Sequence, residues 1–365
     1  MSTSEEQTVK NVRIIYSHIP NGMPRVDEDF RVDKDSLDLS KVSLPEGKGA
    51  VLRTLYISLD SYLRGRMRDP KGSHYAAALK VGDPMQGALL AEVIQSTSSK
   101  VSTGDIVLGY LPWQSYNVIK SEGDGGGVDA LIKMDPSARS SDIPLSYYLG
   151  PLGMPGWTAY GALMEIGKPK AGETLYVSGA SGSVGQVVGQ VGKNLGMYVV
   201  GSAGDDAKVE FLKKELGFDA AFNYKACKDE DYTQALRDAC PKGIDVYYEN
   251  VGGKMLDAVL NVANTHSRIV VCGMQTFYHR DKVDDGVHNL IQLAAKSITM
   301  RGFVVNRDLT SYQSEYVQKI SQWIKEGKFT FRENTTHGIE NAPKAFVDLL
   351  EGNNFGKALV KVSDL

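Results

Sequence analysis

Residues 174–195 constrain the fold of this chain more than any other stretch. Five residues of strand character, Thr174-Leu175-Tyr176-Val177-Ser178, run into Gly179-Ala180-Ser181-Gly182-Ser183-Val184-Gly185, and apolar residues then recur at Val184, Val187, Val188, Val191 and Leu195. Extended chain, a glycine loop and a helical apolar period predict a strand, a tight turn and a helix opening near Ser183. Gly179 and Gly182 let the backbone turn and approach an anion with no Cβ in the way. The free N–H groups at the helix start, those of Ser183, Val184 and Gly185, then face that anion. Gly185, Gly189 and Gly192 fall at i, i+4 and i+7, so one glycine face can press on the sheet. A glycine triple alone is weak evidence; between a strand and a helix it predicts a dinucleotide-binding loop.

Further strand-like runs follow at Met197-Tyr198-Val199-Val200-Gly201, Ala220-Ala221-Phe222, Ile244-Asp245-Val246-Tyr247-Tyr248, Arg268-Ile269-Val270-Val271-Cys272 and Ile298-Thr299-Met300-Arg301-Gly302-Phe303, alternating with helical stretches. That alternation predicts a parallel sheet covered on both faces, the doubly wound α/β class. Residues 10 to 130 have a different grammar: 51–59, 88–94 and 105–110 are short extended runs with turn residues between them and no helices. They predict a partly closed, mostly antiparallel β domain. A helix is expected over 311–326, and the tail 355–362 ends in a strand that can return to the first domain. The chain of 365 residues exceeds one ordinary core. Two domains are therefore expected: 1–140 completed by 310–365, and 141–309.

Composition narrows the function. The chain is 42% hydrophobic and 23% charged, as a folded protein is, and its net charge of -3 argues against a nucleic-acid partner. The segment Met1-Ser2-Thr3-Ser4-Glu5-Glu6-Gln7 is polar with no apolar run behind it, so no secretory signal is expected. No stretch approaches the ~20 apolar residues that span a bilayer. Cys227, Cys240 and Cys272 are few and widely spaced, and read as reduced thiols of a cytoplasmic protein.

Cofactor choice is read at the tip of the second strand, where an acid would hold the ribose hydroxyls of NAD. Here the chain reads Val199-Val200-Gly201-Ser202-Ala203-Gly204, with no acid at the tip, and Lys208 on the next helix can meet a 2′-phosphate. Asp205 and Asp206 follow Gly204 directly and are expected to cap that helix. The reading is NADPH.

The residues for zinc chemistry are missing. The first half of the chain has no cysteine, and its only histidines, His18 and His74, are far apart, so no metal site is expected. Hydride transfer would then be assisted by hydrogen-bond donors. The fourth strand of the second domain ends Tyr248-Glu249-Asn250-Val251-Gly252-Gly253, where glycines admit a flat ring and the Asn250 amide offers a partner. The fifth ends in a loop that carries Tyr278, on the edge where such sheets bind ligands. Cys272, in a buried strand, reads as core.

Several segments together resemble the zinc-independent branch of the medium-chain dehydrogenase/reductase superfamily, in the group of prostaglandin (leukotriene) reductases and plant alkenal double-bond reductases. They are 149–160 (Leu-Gly-Pro-Leu-Gly-Met-Pro-Gly-Trp-Thr-Ala-Tyr), 218–225 (Phe-Asp-Ala-Ala-Phe-Asn-Tyr-Lys), 248–253, and Leu59-Asp60-Ser61-Tyr62-Leu63-Arg64. The resemblance implies a GroES-like substrate domain, a Rossmann-type cofactor domain and, usually, a homodimer. It further implies reduction of the C=C bond of α,β-unsaturated ketones and aldehydes by hydride attack on the β-carbon. Tyr278 would hydrogen-bond the developing enolate, as catalytic and substrate residue, and Tyr62 would line the substrate pocket. Lys208 and Tyr224, beside Gly204, would contact the 2′-phosphate end of the cofactor, and Asn250 its nicotinamide end. The plant enzymes have a tyrosine after the glycine matching Gly87, where this chain has Ala88. Two other readings stand beside this one: an NADPH quinone oxidoreductase of the same superfamily, and a non-catalytic NADPH-binding regulator.

Overall fold

The computed structural model describes residues 8–72, 74–139, 141–228, 231–279 and 286–365. It divides into two compact units. One runs to Leu149 and is rejoined by Asn334–Asn354 and Ala358–Leu365; the other is Gly150–Glu333 with Phe355–Lys357.

The first unit is built on strands, as the short extended runs predict. β1 (Thr8–Tyr16) and β2 (Phe30–Asp38) form an antiparallel pair. β3 (Ala50–Ser58), β4 (Gln86–Ser96), β5 (Ile106–Pro112), β6 (Tyr116–Ile119) and β7 (Ile132–Lys133) belong to a larger mixed sheet. Nearly every residue of β3 is buried, because sheet and core cover both its faces. Trp113 and Phe346 meet edge to face at 5.9 Å in a core that also holds Leu52, Ile57 and Leu89.

The second unit holds β8 (Thr174–Val177), β9 (Tyr198–Ala203), β10 (Ala220–Asn223), β11 (Ile244–Glu249), β12 (Ala263–Val271) and β13 (Thr299–Gly302). All five neighbouring pairs are parallel, in the order β10-β9-β8-β11-β12-β13. This is the Rossmann-type doubly wound sheet, and its strand order reverses between β8 and β11. Ligands bind outside the carboxyl ends of strands at such a reversal. The glycine face of the helix Ser183–Asn194 does press on the sheet side: a Cβ at Gly189 would stand 1.9 Å from the Phe218 ring, and one at Gly192 2.6 Å from Leu175. β12 begins five residues before Arg268, because Ala263-Asn264-Thr265-His266-Ser267 is too polar to read as a strand. No described helix is long and apolar enough to cross a membrane.

β14 (Glu333–His337) and β15 (Lys357–Lys361) complete the larger sheet of the first unit, where β15 runs antiparallel to β3 with Leu359 opposite Ser58. The unit boundaries differ from the expected ones at three places, one of them the short stretch Phe355–Lys357, which belongs to the second unit. Residues up to Leu149 stay with the first unit, since Leu149 is buried among Leu55, Leu90, Ile106 and Leu359. The helix Gln313–Lys325 joins the second unit instead of completing the first. Its Tyr316 ring stacks on Trp157 and its hydroxyl donates to the Leu152 carbonyl at 3.1 Å, while Tyr160 donates to Glu315 at 2.6 Å.

Candidate active site

The glycine loop adopts the predicted turn. Gly179 has φ +59, a conformation that favours glycine, and Gly182 caps the helix with its backbone extended and no side chain in the cap. A Cβ at Gly185 would lie 2.6 Å from the Gly179 carbonyl oxygen, so only glycine lets the helix start so close to the loop. Ser183, Val184 and Gly185 begin the helix, where N–H groups have no intrahelical acceptor. Ser183 Oγ is itself buried without a hydrogen-bond partner among the described residues. An orphaned hydroxyl beside free amides at a helix start fits an incoming phosphate oxygen.

The residues expected at the 2′-phosphate meet at the carboxyl ends of β9 and β10. Gly204 passes beneath Tyr224, whose hydroxyl would stand 3.1 Å from a Cβ there. Asp205 caps the helix Asp206–Lys214 by accepting from the Lys208 backbone N–H at 2.8 Å. Its carboxylate also pairs with Lys208 Nζ at 3.3 Å, and Lys208 is itself buried. Partial desolvation pulls the Asp205 carboxyl up, but the Lys208 amide and ammonium outweigh it and hold it below the usual carboxylate range. Burial, then the nearby Asp205 charge, raises the Tyr224 phenol.

At the other end, Asn250 is held rigidly. Its side-chain amide donates to the Ser178 carbonyl at 2.8 Å and its backbone N–H to Ser178 Oγ at 3.0 Å. Buried Tyr247 donates to the same Ser178 Oγ at 3.0 Å. Glu249 is fully buried; its Oε1 accepts from the Val251 and Gly252 amides at 2.5 and 2.8 Å, while Oε2 has no partner among the described residues. Burial pushes its carboxyl up to about 7 against the pull of those amides. The turn Gln275–His279, which carries half-buried Tyr278, is fastened to this loop: Gln275 N–H donates to the Asn250 carbonyl at 3.0 Å, and the Thr276 amide and hydroxyl to the Val251 carbonyl at 3.0 and 2.8 Å. Asn250 and Tyr278 thus stand on two tied loops. Burial of its sulfur pushes the Cys272 thiol up to about 12, although Cys272 lies just past the end of β12 and is half-buried rather than a core residue of the strand.

Tyr62 belongs to the first unit, at the start of the short helix Leu63–Arg66. Its hydroxyl lies 3.4 Å from that of Tyr110, which also accepts from Arg66. Burial raises the Tyr62 phenol well above its ordinary value, so it stays protonated. Tyr110 stands directly opposite Ala88 in the β4–β5 ladder. Among the described residues no group of three His, Cys, Asp or Glu side chains could hold a metal ion.

Among the residues of these networks, Ser178, Tyr247, Glu249, Arg66 and Tyr110 carry no role in the sequence reading. Glu249 has a legible signal, an acid closing the strand Ile244-Asp245-Val246-Tyr247-Tyr248 directly after two tyrosines. Ser178 has none, since its partners come from 69 and more residues away.

Residues 183–326 match the family described as zinc-binding dehydrogenase, and residues 13–125 the N-terminal domain of oxidoreductase. The chain is 43% identical over 358 residues to the 2-alkenal reductase (NADP(+)-dependent) of Nicotiana tabacum, covering 98% of this chain and 99% of the relative. It is 39% identical over 336 residues to prostaglandin reductase 1 of Rattus norvegicus, covering 92% and 96%. The crystal structure of CurA in complex with NADPH from Vibrio vulnificus superposes with a TM-score of 0.84 at 38% identity, over 97% and 100% of the two chains. A doubly wound sheet with a glycine loop, joined to a separate β-rich unit, defines the medium-chain dehydrogenase/reductase superfamily, and the chain belongs to it. Within the superfamily it is a member of the zinc-independent group that contains the alkenal and prostaglandin reductases.

Proposed function

We propose that the chain reduces the C=C bond of α,β-unsaturated ketones and aldehydes with NADPH, without zinc. The observation that carries this reading is the pair of tied loops, which brings Asn250 and Tyr278 to one end of a sheet whose other side holds Lys208 and Tyr224. The likeness to a 2-alkenal reductase supports a conjugated carbonyl as substrate, and the likeness to an NADPH-bound structure supports the cofactor.

Bound NADPH would supply the hydride that goes to the β-carbon. The residues of the chain do the rest. The helix start at Ser183, Val184 and Gly185 offers donors to the pyrophosphate. Lys208 and Tyr224, over Gly204, hold the 2′-phosphate, and Asn250 orients the nicotinamide end. Charge develops on the carbonyl oxygen as the β-carbon is attacked, and a proton added at the α-carbon completes the saturated product. Tyr278 donates a hydrogen bond there, a contact that strengthens toward the transition state. Tyr62 lines the pocket that receives the substrate.

NADPH oxidation measured with an aliphatic enone and with a benzoquinone tests the reading. The enone is expected to be turned over to a saturated ketone; turnover of the quinone alone would overturn it. Tyr278→Phe is expected to lower kcat by about ten- to a hundredfold, the range for one donor in a dry site, with NADPH affinity unchanged. An undiminished kcat would remove Tyr278 from the mechanism.

The assembly is a homodimer in this reading. β13 is the edge of its sheet, with Thr299, Arg301 and Gly302 exposed, and Phe277 and Ile291 of the same unit are 67% and 71% exposed. An open edge and exposed apolar side chains on one unit are features that a second copy can cover. Three free cysteines support a cytoplasmic setting.

A further inference from the structure

Arg66 is a buried guanidinium, 8% exposed, and makes no ion pair among the described residues. A charge so placed is costly unless its donors are used. Nε donates to the Ala77 carbonyl at 2.7 Å, Nη2 reaches Gln86 Oε1 at 3.5 Å, and Nη1 donates to the Tyr110 hydroxyl. The guanidinium also lies over the Tyr110 ring, 5.3 Å from its centre. Tyr62 and Arg66 are four residues apart around one helical turn, which brings them to the same side.

A guanidinium only donates, so it fixes the direction of the chain of hydrogen bonds that starts from it. Having accepted from Arg66, the Tyr110 hydroxyl has one proton to give. Two oxygens stand 3.4 Å away, the Gln86 carbonyl and the Tyr62 hydroxyl. When that proton points at Gln86, Tyr62 donates to Tyr110 and the cluster is closed. When it turns to Tyr62, the proton of Tyr62 is released for a third oxygen. The two settings differ by rotation about two C–O bonds, with no movement of heavy atoms.

We propose that Arg66 and Tyr110 are positioning residues that orient and polarise Tyr62, making its hydroxyl a hydrogen-bond donor to the conjugated substrate. The proposal rests on the reading of Tyr62 as a substrate residue. Positive charge at Arg66 is felt through two polarised hydroxyls, and hydrogen bonds in such chains strengthen one another. The effect is largest where the substrate oxygen is most negative, so it acts on kcat more than on KM.

Steady-state kinetics with an aliphatic enone at saturating NADPH test this in Tyr62→Phe, Tyr110→Phe and the double variant. Each single variant is expected to lower kcat by about tenfold, the size of one ordinary hydrogen bond, with KM and NADPH affinity little changed. The double variant is expected to be no slower than Tyr62→Phe, because Tyr110 acts only through Tyr62. Independent losses that multiply to about a hundredfold would overturn the relay, as would full activity in Tyr110→Phe while Tyr62→Phe is impaired. Full activity in Tyr62→Phe, with Tyr278→Phe still slow, would sink the role of Tyr62 itself and leave the proposed reaction standing. Should Tyr110→Phe fail to fold, Arg66→Lys tests the chain from its other end, and its loss of kcat must vanish in the Tyr62→Phe background.

Discussion

The two ends of the proposed cofactor cradle are built on opposite physics. At the Lys208 end the groups are charged and partly wet: the Asp205 side chain is 48% exposed, and it meets an ammonium at 3.3 Å. At the Asn250 end they are dry and mostly neutral, with Ser178, Tyr247 and Glu249 at 0–1% exposure in one hydrogen-bonded cluster. A half-exposed carboxylate costs little to unpair, so in the proposed function the first end can trade its internal contact for a ligand's and would set which cofactor binds. A buried polar cluster cannot be rearranged without orphaning a member, so the second end sets geometry and stability. Substitutions at the two ends should therefore report in different measurements.

The largest effect is expected at Glu249. Its native carboxyl lies at about 7, against an ordinary value of 4.5. Below the ordinary value the carboxyl is protonated in both folded and unfolded chains, and its full contribution to stability is present. As pH rises towards 7 the unfolded chain ionises first, and that contribution is lost through the native value. Above it the shift is worth about 3 kcal/mol against the fold. Glu249→Gln keeps an acceptor for the Val251 and Gly252 amides and cannot ionise. Urea unfolding at about pH 5 and pH 8 should show wild type falling relative to the variant by about 2.5 kcal/mol, since a small part of the loss is already present at pH 5. A constant gap between the two at both pH values would uncouple Glu249 from folding.

Lys208→Ala comes next and belongs to the other end. Loss of a charge-assisted contact to the 2′-phosphate should weaken NADPH by about 1–3 kcal/mol and NADH far less. Thermal unfolding without cofactor should hardly move. Equal weakening of both cofactors would remove Lys208 from the 2′-phosphate.

The contrast between the ends also explains how much the sequence discloses. The phosphate loop is local: strand, glycines and helix are contiguous, and Asp205 caps its helix through the residue three places on, so spacing alone foretells both. The six parallel strands are each legible at least in part, β12 only from Arg268 onward. The dry cluster is not local. Ser178 meets Tyr247 and Asn250 only because β8 and β11 are neighbours, a fact of topology and not of spacing. Arg66, Tyr110 and Gln86 are likewise joined across β4 and β5. The place of the helix Gln313–Lys325 is hidden for a similar reason, since its apolar face is legible but the partner of that face, at Trp157, is not.

The smallest effect is the one that most directly weighs the two ends against each other. Asp205→Asn keeps the cap, because asparagine is as good as aspartate at a helix N-cap, so the helix carrying Lys208 should stay in place. What is lost is the carboxylate charge that pairs with Lys208 and would repel a phosphate dianion. With the carboxylate charge gone, one competitor for the Lys208 ammonium is removed, and NADPH should bind tighter by about 0.5–1 kcal/mol, the worth of a partly exposed ion pair. NADH, which has no phosphate there, should gain less. The gain should also shrink at high salt, where exposed charges are screened. Equilibrium titration with both cofactors at low and high salt measures all three quantities. Asp205→Ala separates charge from cap, for it removes the same charge but should cost about 1 kcal/mol of stability through the lost cap. Weaker NADPH binding in Asp205→Asn would mean that the carboxylate holds Lys208 in place for the phosphate instead of competing for it, and the Lys208 end would then be as preorganised as the Asn250 end.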